Sequence, residues 1–229
     1  MVDVLDIRGQ PLSTLLADFM ICQSCRVVDR DQKRMRVGYP CPRCRVSGNG
    51  ARGYFSISVH SLIDLMQEFY HIKDERDYHS DKTPVRQQKG NHRLAVVIFF
   101  CTLGEVLLEH FLEHLMLRTG LPRSIQKRLL DDNIFVKQRV EKLFPALTGV
   151  RWKVAVRTLT KGKQLDYLKA TEFYEEVVEK RNLFLHQGNK WAISKEMPEK
   201  CLRQIWPMLN LFVGLHNSYV AGQLVPRPN

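Results

Sequence analysis

The segment RLAVVIFFCTLGEVLLEHFLEHLMLR (residues 93–118) determines how the rest of the chain must fold. In its first half, apolar residues occupy most of the circumference of a helix, which predicts a buried helix at the centre of an all-α body. Gly104 lowers the helix propensity in the middle of the segment, so we expect a close contact with another helix there. The longest apolar stretch, Leu94 to Leu103, is too short to span a bilayer, and we expect no membrane association.

Helical periodicity continues on both sides of this segment. Apolar residues at helical spacing predict further helices at residues 59–70, 123–144, 151–158, 164–187 and 198–221. Gly188 stands where a helix would stop, and Pro198 where the next would begin. Residues 71–92, by contrast, are almost wholly polar and predict a linker, a mobile loop or a domain boundary. The expected organisation is an N-terminal part (1–70), a linker (71–92) and a helical domain (93–229).

Four cysteines near the N-terminus form two C-x-x-C pairs that are separated by fifteen residues: Cys22, Cys25, Cys41 and Cys44. This spacing is typical of a four-thiolate zinc site, and we prefer it to four unrelated buried cysteines. The residues between the pairs can form a short hairpin, and RGYFSIS (52–58) alternates as a third strand would. The cysteine module (residues 21–58) resembles a zinc ribbon. Four protein ligands leave no open position, so the ion is expected to be structural.

The formal net charge of +11 favours an anionic partner, most often nucleic acid. Four thiolates with one Zn²⁺ would lower this charge by only two. The excess is concentrated in residues 26–52 and 118–163. The candidate nucleic-acid-binding residues of the cysteine module are Arg26, Lys33, Arg34, Arg36, Arg43 and Arg45. Ribbons also bind protein, so the partner stays open at this point. With no signal-peptide pattern and no dispersed cysteine framework, we expect a cytoplasmic protein.

The segment EKRNLFLHQG (179–188) carries a second candidate site near the end of a predicted helix. Asn182 and His186 are four residues apart and share a helical face, and the long side chain of Arg181 can reach the same point. An arginine can neutralise phosphate charge, and a histidine can move a proton near neutral pH. The alternative is that Arg181 and His186 only satisfy carbonyl groups and the dipole at the helix end.

The R-N-x-x-x-H pattern of this segment resembles the signature of HEPN domains, which are small all-α domains. The resemblance covers about residues 91–221, and it includes a long apolar helix before the signature helix and a final helix after it. It implies an all-α HEPN-like helical bundle, so we expect a mainly α fold in which the zinc ribbon precedes this bundle. The zinc module and the linker (71–92) depart from the family pattern, which requires neither. Many members are metal-independent ribonucleases that act as homodimers with one composite site. The implied setting is a toxin, phage-defence or stress-response system, in which an antitoxin or regulatory protein would be a partner.

The resemblance also implies roles for single residues in RNA cleavage. The ribose 2′-hydroxyl would attack the neighbouring phosphate, with His186 as acid or base. Arg181 would stabilise the charge that develops on the phosphate oxygens, and Asn182 would orient the histidine or the phosphate. Glu105 and Glu109 on the long apolar helix are possible accessory residues. The products would carry a cyclic phosphate and a free 5′-hydroxyl group.

Two alternatives remain at this stage. In the first, the helical domain is catalytically silent and binds RNA or protein. In the second, His110, Glu113 and His114 form the H-x-x-E-H pattern of a zinc metallopeptidase, with a glutamate of residues 175–179 as a distant ligand. The absence of strand signals in the helical part disfavours the peptidase. A simpler interpretation is that these residues form the polar face at the end of a helix, which faces solvent or a dimer partner.

Overall fold

The computed structural model of the chain is mainly α-helical with a small sheet at the N-terminal end, which confirms the predicted fold class. It describes residue 16 and residues 19–30, 40–41, 43–46, 52–71, 92–161, 165–189 and 192–221. The strands are β1 (Met20–Ile21), β2 (Val28–Asp29) and β3 (Arg52–Gly53). The helices in these residues are α1 (Ile57–His71), α2 (His92–Arg118), α3 (Arg123–Asp132), α4 (Val136–Gln138, Arg139–Leu143 and Phe144–Thr148 in succession), α5 (Trp152–Thr160), α6 (Tyr167–Gln187) and α7 (Met197–Tyr219).

Helix α2 lies at the centre of the bundle, as its sequence predicts. It packs against α1, α6 and α7, and much of its first half is fully buried. Gly104 lies directly against the ring of Tyr174 on α6, so the expected close helix contact is present. The Tyr174 hydroxyl donates a hydrogen bond to the Cys101 carbonyl over 3.1 Å, which fixes the ring in this position.

Replacing Gly104 with alanine is expected to lower the free energy of unfolding by about 1–3 kcal/mol. A Cβ at this position would overlap the buried Tyr174 ring, which its hydrogen bond prevents from moving aside. Gly214→Ala is the matched control, because the nearest atom to its Cβ is a Leu159 side-chain carbon at 3.4 Å. The control should be neutral or more stable, and chemical denaturation of both variants measures the difference. Equal stability of the two variants would contradict the packing described here.

The segment predicted as one helix over residues 123–144 is divided in two. Helix α3 ends at Asp132. The side chain of the next residue, Asn133, donates to the Leu129 carbonyl over 2.9 Å, and the backbone N–H of Asn133 donates to the Leu130 carbonyl. The next helix, α4, begins at Val136, and its middle part, Arg139–Leu143, is a π-helix. This wide turn accommodates Pro145 inside the helix rather than at its end, since the proline lacks an N–H group.

The sheet has the order β2-β1-β3, and both pairs are antiparallel. The third strand is shorter than its alternating sequence predicts and covers only Arg52–Gly53. Tyr54 and Phe55, which follow it, are both buried, whereas a strand would point them to opposite faces. The chain therefore turns here, and α1 begins at Ile57.

The sheet and the bundle share one hydrophobic core. Phe19, Ile21, Val28 and Tyr54 of the N-terminal part belong to the same buried cluster as the side chains of α2 and α7. Residues 72–91, which contain most of the predicted linker, lie outside the described residues. The division into two domains therefore stays a prediction.

By its length and composition, the helical segment Leu94–Arg118 is long and apolar enough to cross a membrane. The uninterrupted apolar stretch Leu94 to Leu103 is too short to show this property. Half of the most apolar part of this helix is buried inside the protein, and the core helices of soluble proteins can be equally long and apolar. One such helix is weak evidence for a membrane span, so cytoplasmic localisation stays a prediction.

Candidate functional site

The four predicted ligand cysteines converge on one point. Their sulfur atoms all lie within 4.8 Å of one another. The Sγ atoms of Cys22 and Cys44 are 3.8 Å apart, and those of Cys25 and Cys41 are 3.7 Å apart. All four thiols are free, and a tetrahedral ion with metal–sulfur bonds of about 2.3 Å would need sulfur separations of about 3.8 Å. The donor set therefore fits a metal ion such as zinc.

Each cysteine pair is held by the same backbone turn. The N–H of Arg26 donates to the Cys22 carbonyl over 3.0 Å, and that of Arg45 to the Cys41 carbonyl over 2.8 Å. Both arginines adopt the left-handed conformation, with φ of 61° and 56°. In each turn the backbone N–H of the first cysteine donates to the carbonyl of the residue five positions later in the sequence. The two turns thus aim two pairs of sulfurs at the space between them.

Without a cation, burial opposes the ionisation of Cys25 and Cys44 by raising the pKa of each thiol. Burial raises the pKa of Cys25 to about 12. Burial also acts to raise the pKa of Cys41, but hydrogen bonds from the backbone N–H groups of Cys44 and Arg43 outweigh it and lower that pKa. A divalent ion supplies the charge that four adjacent thiolates require. Because all four positions are protein ligands, the ion would have no site for a substrate.

Three of the six basic residues predicted to bind nucleic acid are described. Arg43 and Arg45 are exposed beside the cysteines, and Arg26 is half-buried. The other three, Lys33, Arg34 and Arg36, lie outside the described residues. The arginines that are described surround the cysteine site, which is compatible with an anionic partner there.

The structure joins Arg181 to one of the predicted accessory glutamates. The Arg181 Nη2 atom lies 3.0 Å from Oε1 of Glu105, so this pair links α6 to α2. Asn182 and His186 are exposed one turn apart on α6 and have no hydrogen-bond partner in the described part of the chain. Leu185, next to His186, is exposed, as are several other large apolar side chains of the described residues, among them Ile57, Ile134 and Phe135. The helix ends at Gly188 with φ of 63°, as predicted.

The other accessory glutamate belongs to a different ion pair. Glu109 accepts a hydrogen bond of 2.8 Å from Nη1 of Arg139, the buried first residue of the π-helical part of α4. Arg139 also donates from Nε to the Asn133 carbonyl over 2.9 Å. Sequence reasoning missed Arg139, because neither its spacing nor its neighbours distinguish it from the other basic residues of this segment.

Acidic residues occupy the exposed face of α6 on the N-terminal side of Arg181: Glu172, Glu175, Glu176 and Glu179. Helix α5, which packs against α6, exposes Lys153 and Arg157, and Arg151 is exposed just before it.

The two histidines of the H-x-x-E-H pattern are half-buried against other rings, whereas Glu113 is exposed. His110 and His114 stack with ring centroids 4.3 Å apart, and both lie against Tyr54. The Nδ1 atoms of His114 and His216 are 3.4 Å apart, and Nε2 of His216 lies 2.8 Å from the Arg26 carbonyl oxygen. Within the described residues, only the four cysteines form a group of at least three close potential ligands. No third ligand is therefore found for a peptidase zinc.

We expect acid to destabilise the protein through His216. Burial lowers the pKa of His216 from 6.5 to about 4, and the Arg26 charge adds to this effect. The neutral ring stabilises the fold fully above pH 6.5, and this contribution is lost as the pH falls towards 4. Between about pH 7.5 and about pH 5.5 the free energy of unfolding should fall by about 1 kcal/mol from this group alone. Urea titrations at the two pH values measure it. His216→Gln should show a smaller pH dependence by this amount, and an equal dependence would contradict the assignment.

Comparisons with models of protein families, with curated proteins and with solved structures give no match for this chain. The likeness to HEPN domains consequently rests on the R-N-x-x-x-H segment and on the order of the helices.

Proposed function

We propose that the protein is a metal-independent endoribonuclease of the HEPN type, with one structural Zn²⁺ in its cysteine module. The observation that carries the proposal is the Arg181–Glu105 pair, which lies in α6 and α2 beside the exposed Asn182 and His186. A cation, an exposed amide and an exposed imidazole follow one another near the C-terminal end of α6. This combination suits a phosphodiester better than it suits a purely structural helix end.

In the proposed reaction, His186 takes the proton of the ribose 2′-hydroxyl or donates one to the departing 5′-oxygen. The 2′-oxygen forms a bond to phosphorus as the bond from phosphorus to the 5′-oxygen breaks. Arg181 neutralises the charge that grows on the non-bridging oxygens, and Glu105 fixes its guanidinium group. Asn182 orients the phosphate or the histidine. The products are a 2′,3′-cyclic phosphate and a 5′-hydroxyl end.

The proposed active form is a homodimer with the two motifs facing each other. In this arrangement a second copy would cover the exposed Leu185 beside His186. The basic side chains at the cysteine site, Arg26, Arg43 and Arg45, would attract the RNA or a protein partner. A toxin or defence role, with an antitoxin or regulatory partner, is part of this proposal.

A catalytically silent binding module is the second candidate. The acidic face formed by Glu172, Glu175, Glu176 and Glu179 favours it, because these carboxylates precede Arg181 on the same helix and oppose the entry of phosphate. In that case the Arg181–Glu105 pair would serve only to join α6 to α2.

Incubation of the purified protein with total RNA and with single-stranded DNA separates the two candidates. A brief exposure to EDTA excludes metal-dependent contaminating nucleases without stripping the cysteine site for long. The ribonuclease proposal predicts cleavage of RNA but not of DNA, with cyclic phosphate ends. RNA that is bound but stays intact would favour the silent module.

A further inference from the structure

Side chains in the last turn of α7 form hydrogen bonds with backbone groups in and directly after the first cysteine turn. The Oδ1 atom of Asn217 accepts a hydrogen bond of 2.8 Å from the Val28 N–H, and its Nδ2 donates one of 2.8 Å to the Val28 carbonyl. One amide side chain thereby makes both bonds that a neighbouring strand would make to this residue. These contacts join positions 189 residues apart in the sequence.

His216 adds a third bond to the same turn. Its ring is fully buried, and Nε2 lies 2.8 Å from the carbonyl oxygen of Arg26. Arg26 directly follows the ligand Cys25 and has the left-handed φ of 61°. A non-glycine residue in this conformation persists where its surroundings hold it. His216 and Asn217, which lie outside the cysteine module, stabilise this backbone conformation through their hydrogen bonds.

The turn held in this way contains two of the four sulfur ligands. The N–H of Cys22 donates to the Val27 carbonyl over 2.9 Å, between the two backbone groups that α7 binds. Positions of the Cys22 and Cys25 sulfurs therefore depend on the end of α7. His216 also meets His114 of the central helix, so the contact continues into the bundle.

We infer that Asn217 and His216 are positioning residues for the zinc site, and that zinc occupancy is energetically linked to the end of helix α7. The link is reciprocal: whatever α7 contributes to zinc affinity, zinc contributes to the order of α7. It rests on the zinc binding proposed above and is independent of any ribonuclease activity.

Zinc affinity of the full-length protein, measured by competition with a chromophoric chelator, tests the inference. Asn217→Ala should bind Zn²⁺ roughly 10-fold more weakly than the natural protein, as is typical when a group that orients metal ligands is lost. Asn210→Ala is the matched control, because Asn210 lies two turns earlier on α7 and bonds only the Trp206 carbonyl of its own helix. Its zinc affinity should be unchanged. Asn217→Asp, which keeps the acceptor but loses the donor, serves if the alanine variant fails to fold and should also bind more weakly.

Hydrogen exchange provides the reciprocal measurement. Removal of zinc should speed exchange in the last two turns of α7 in the natural protein, and should change it much less in the Asn217 variants. Equal zinc affinity in the natural protein and both Asn217 variants would overturn the inference, even if the variants are less stable. Failure of the natural protein itself to bind zinc would instead refute the proposed metal site.

Discussion

Replacing Cys25 with serine is expected to abolish stoichiometric zinc binding and to lower the free energy of unfolding by more than about 4 kcal/mol. Cys25 is buried among the other three sulfurs, and its loss leaves an incomplete, desolvated ligand set. The damage should spread beyond the module, because the side chains of its sheet belong to the core of the bundle. Metal content per chain and thermal unfolding with and without chelator measure the two effects.

Cys201→Ala is the matched control for this substitution. Cys201 is a fully buried thiol on α7 and lies outside the group of close metal ligands. This variant should keep one zinc per chain and lose only the packing of one sulfur atom. Full zinc content in the Cys25 variant would contradict the four-cysteine site.

The second large effect is expected at His186. His186→Ala should reduce the rate of RNA cleavage by about 10²–10⁴-fold, the usual contribution of a general acid or base. Its thermal stability should stay close to that of the natural protein, since the side chain is exposed and makes no hydrogen bond within the described residues. A loss of activity without a loss of stability separates a chemical role from a structural one.

His71→Ala provides the comparison for His186. His71 is also an exposed histidine in the last turn of a helix, in this case α1. Its replacement should leave cleavage unchanged. Undiminished cleavage by the His186 variant would remove this residue from the proposed mechanism, and an equal loss in both variants would point to a general effect of histidine replacement.

Features encoded over a few residues could be predicted from the sequence. The two C-x-x-C pairs, the central helix α2, the glycine at its closest contact and the stop at Gly188 all follow from local spacing and propensity. Each is decided by residues within one or two turns of one another. The fold class and the metal-compatible cluster were therefore accessible before the structure.

Features decided by distant partners could not be predicted. His114 and His216 are 102 positions apart, and only the packing of α7 on α2 brings their rings together. The pair of Arg139 and Glu109 likewise joins residues 30 positions apart, on two different helices. The strand 52–58 was predicted too long, because burial of both Tyr54 and Phe55 overrides the alternating pattern.

The proposed ribonuclease reaction requires the ribose 2′-hydroxyl of the RNA. The most direct test uses two RNA oligonucleotides that contain a mapped cleavage site, one of them with a single 2′-deoxynucleotide on the 5′ side of the cleaved bond. After a brief exposure to EDTA, we expect the all-ribose strand to be cut to a cyclic phosphate and the substituted strand to stay intact at that bond. Cleavage of both strands at that bond, or of neither, would contradict it.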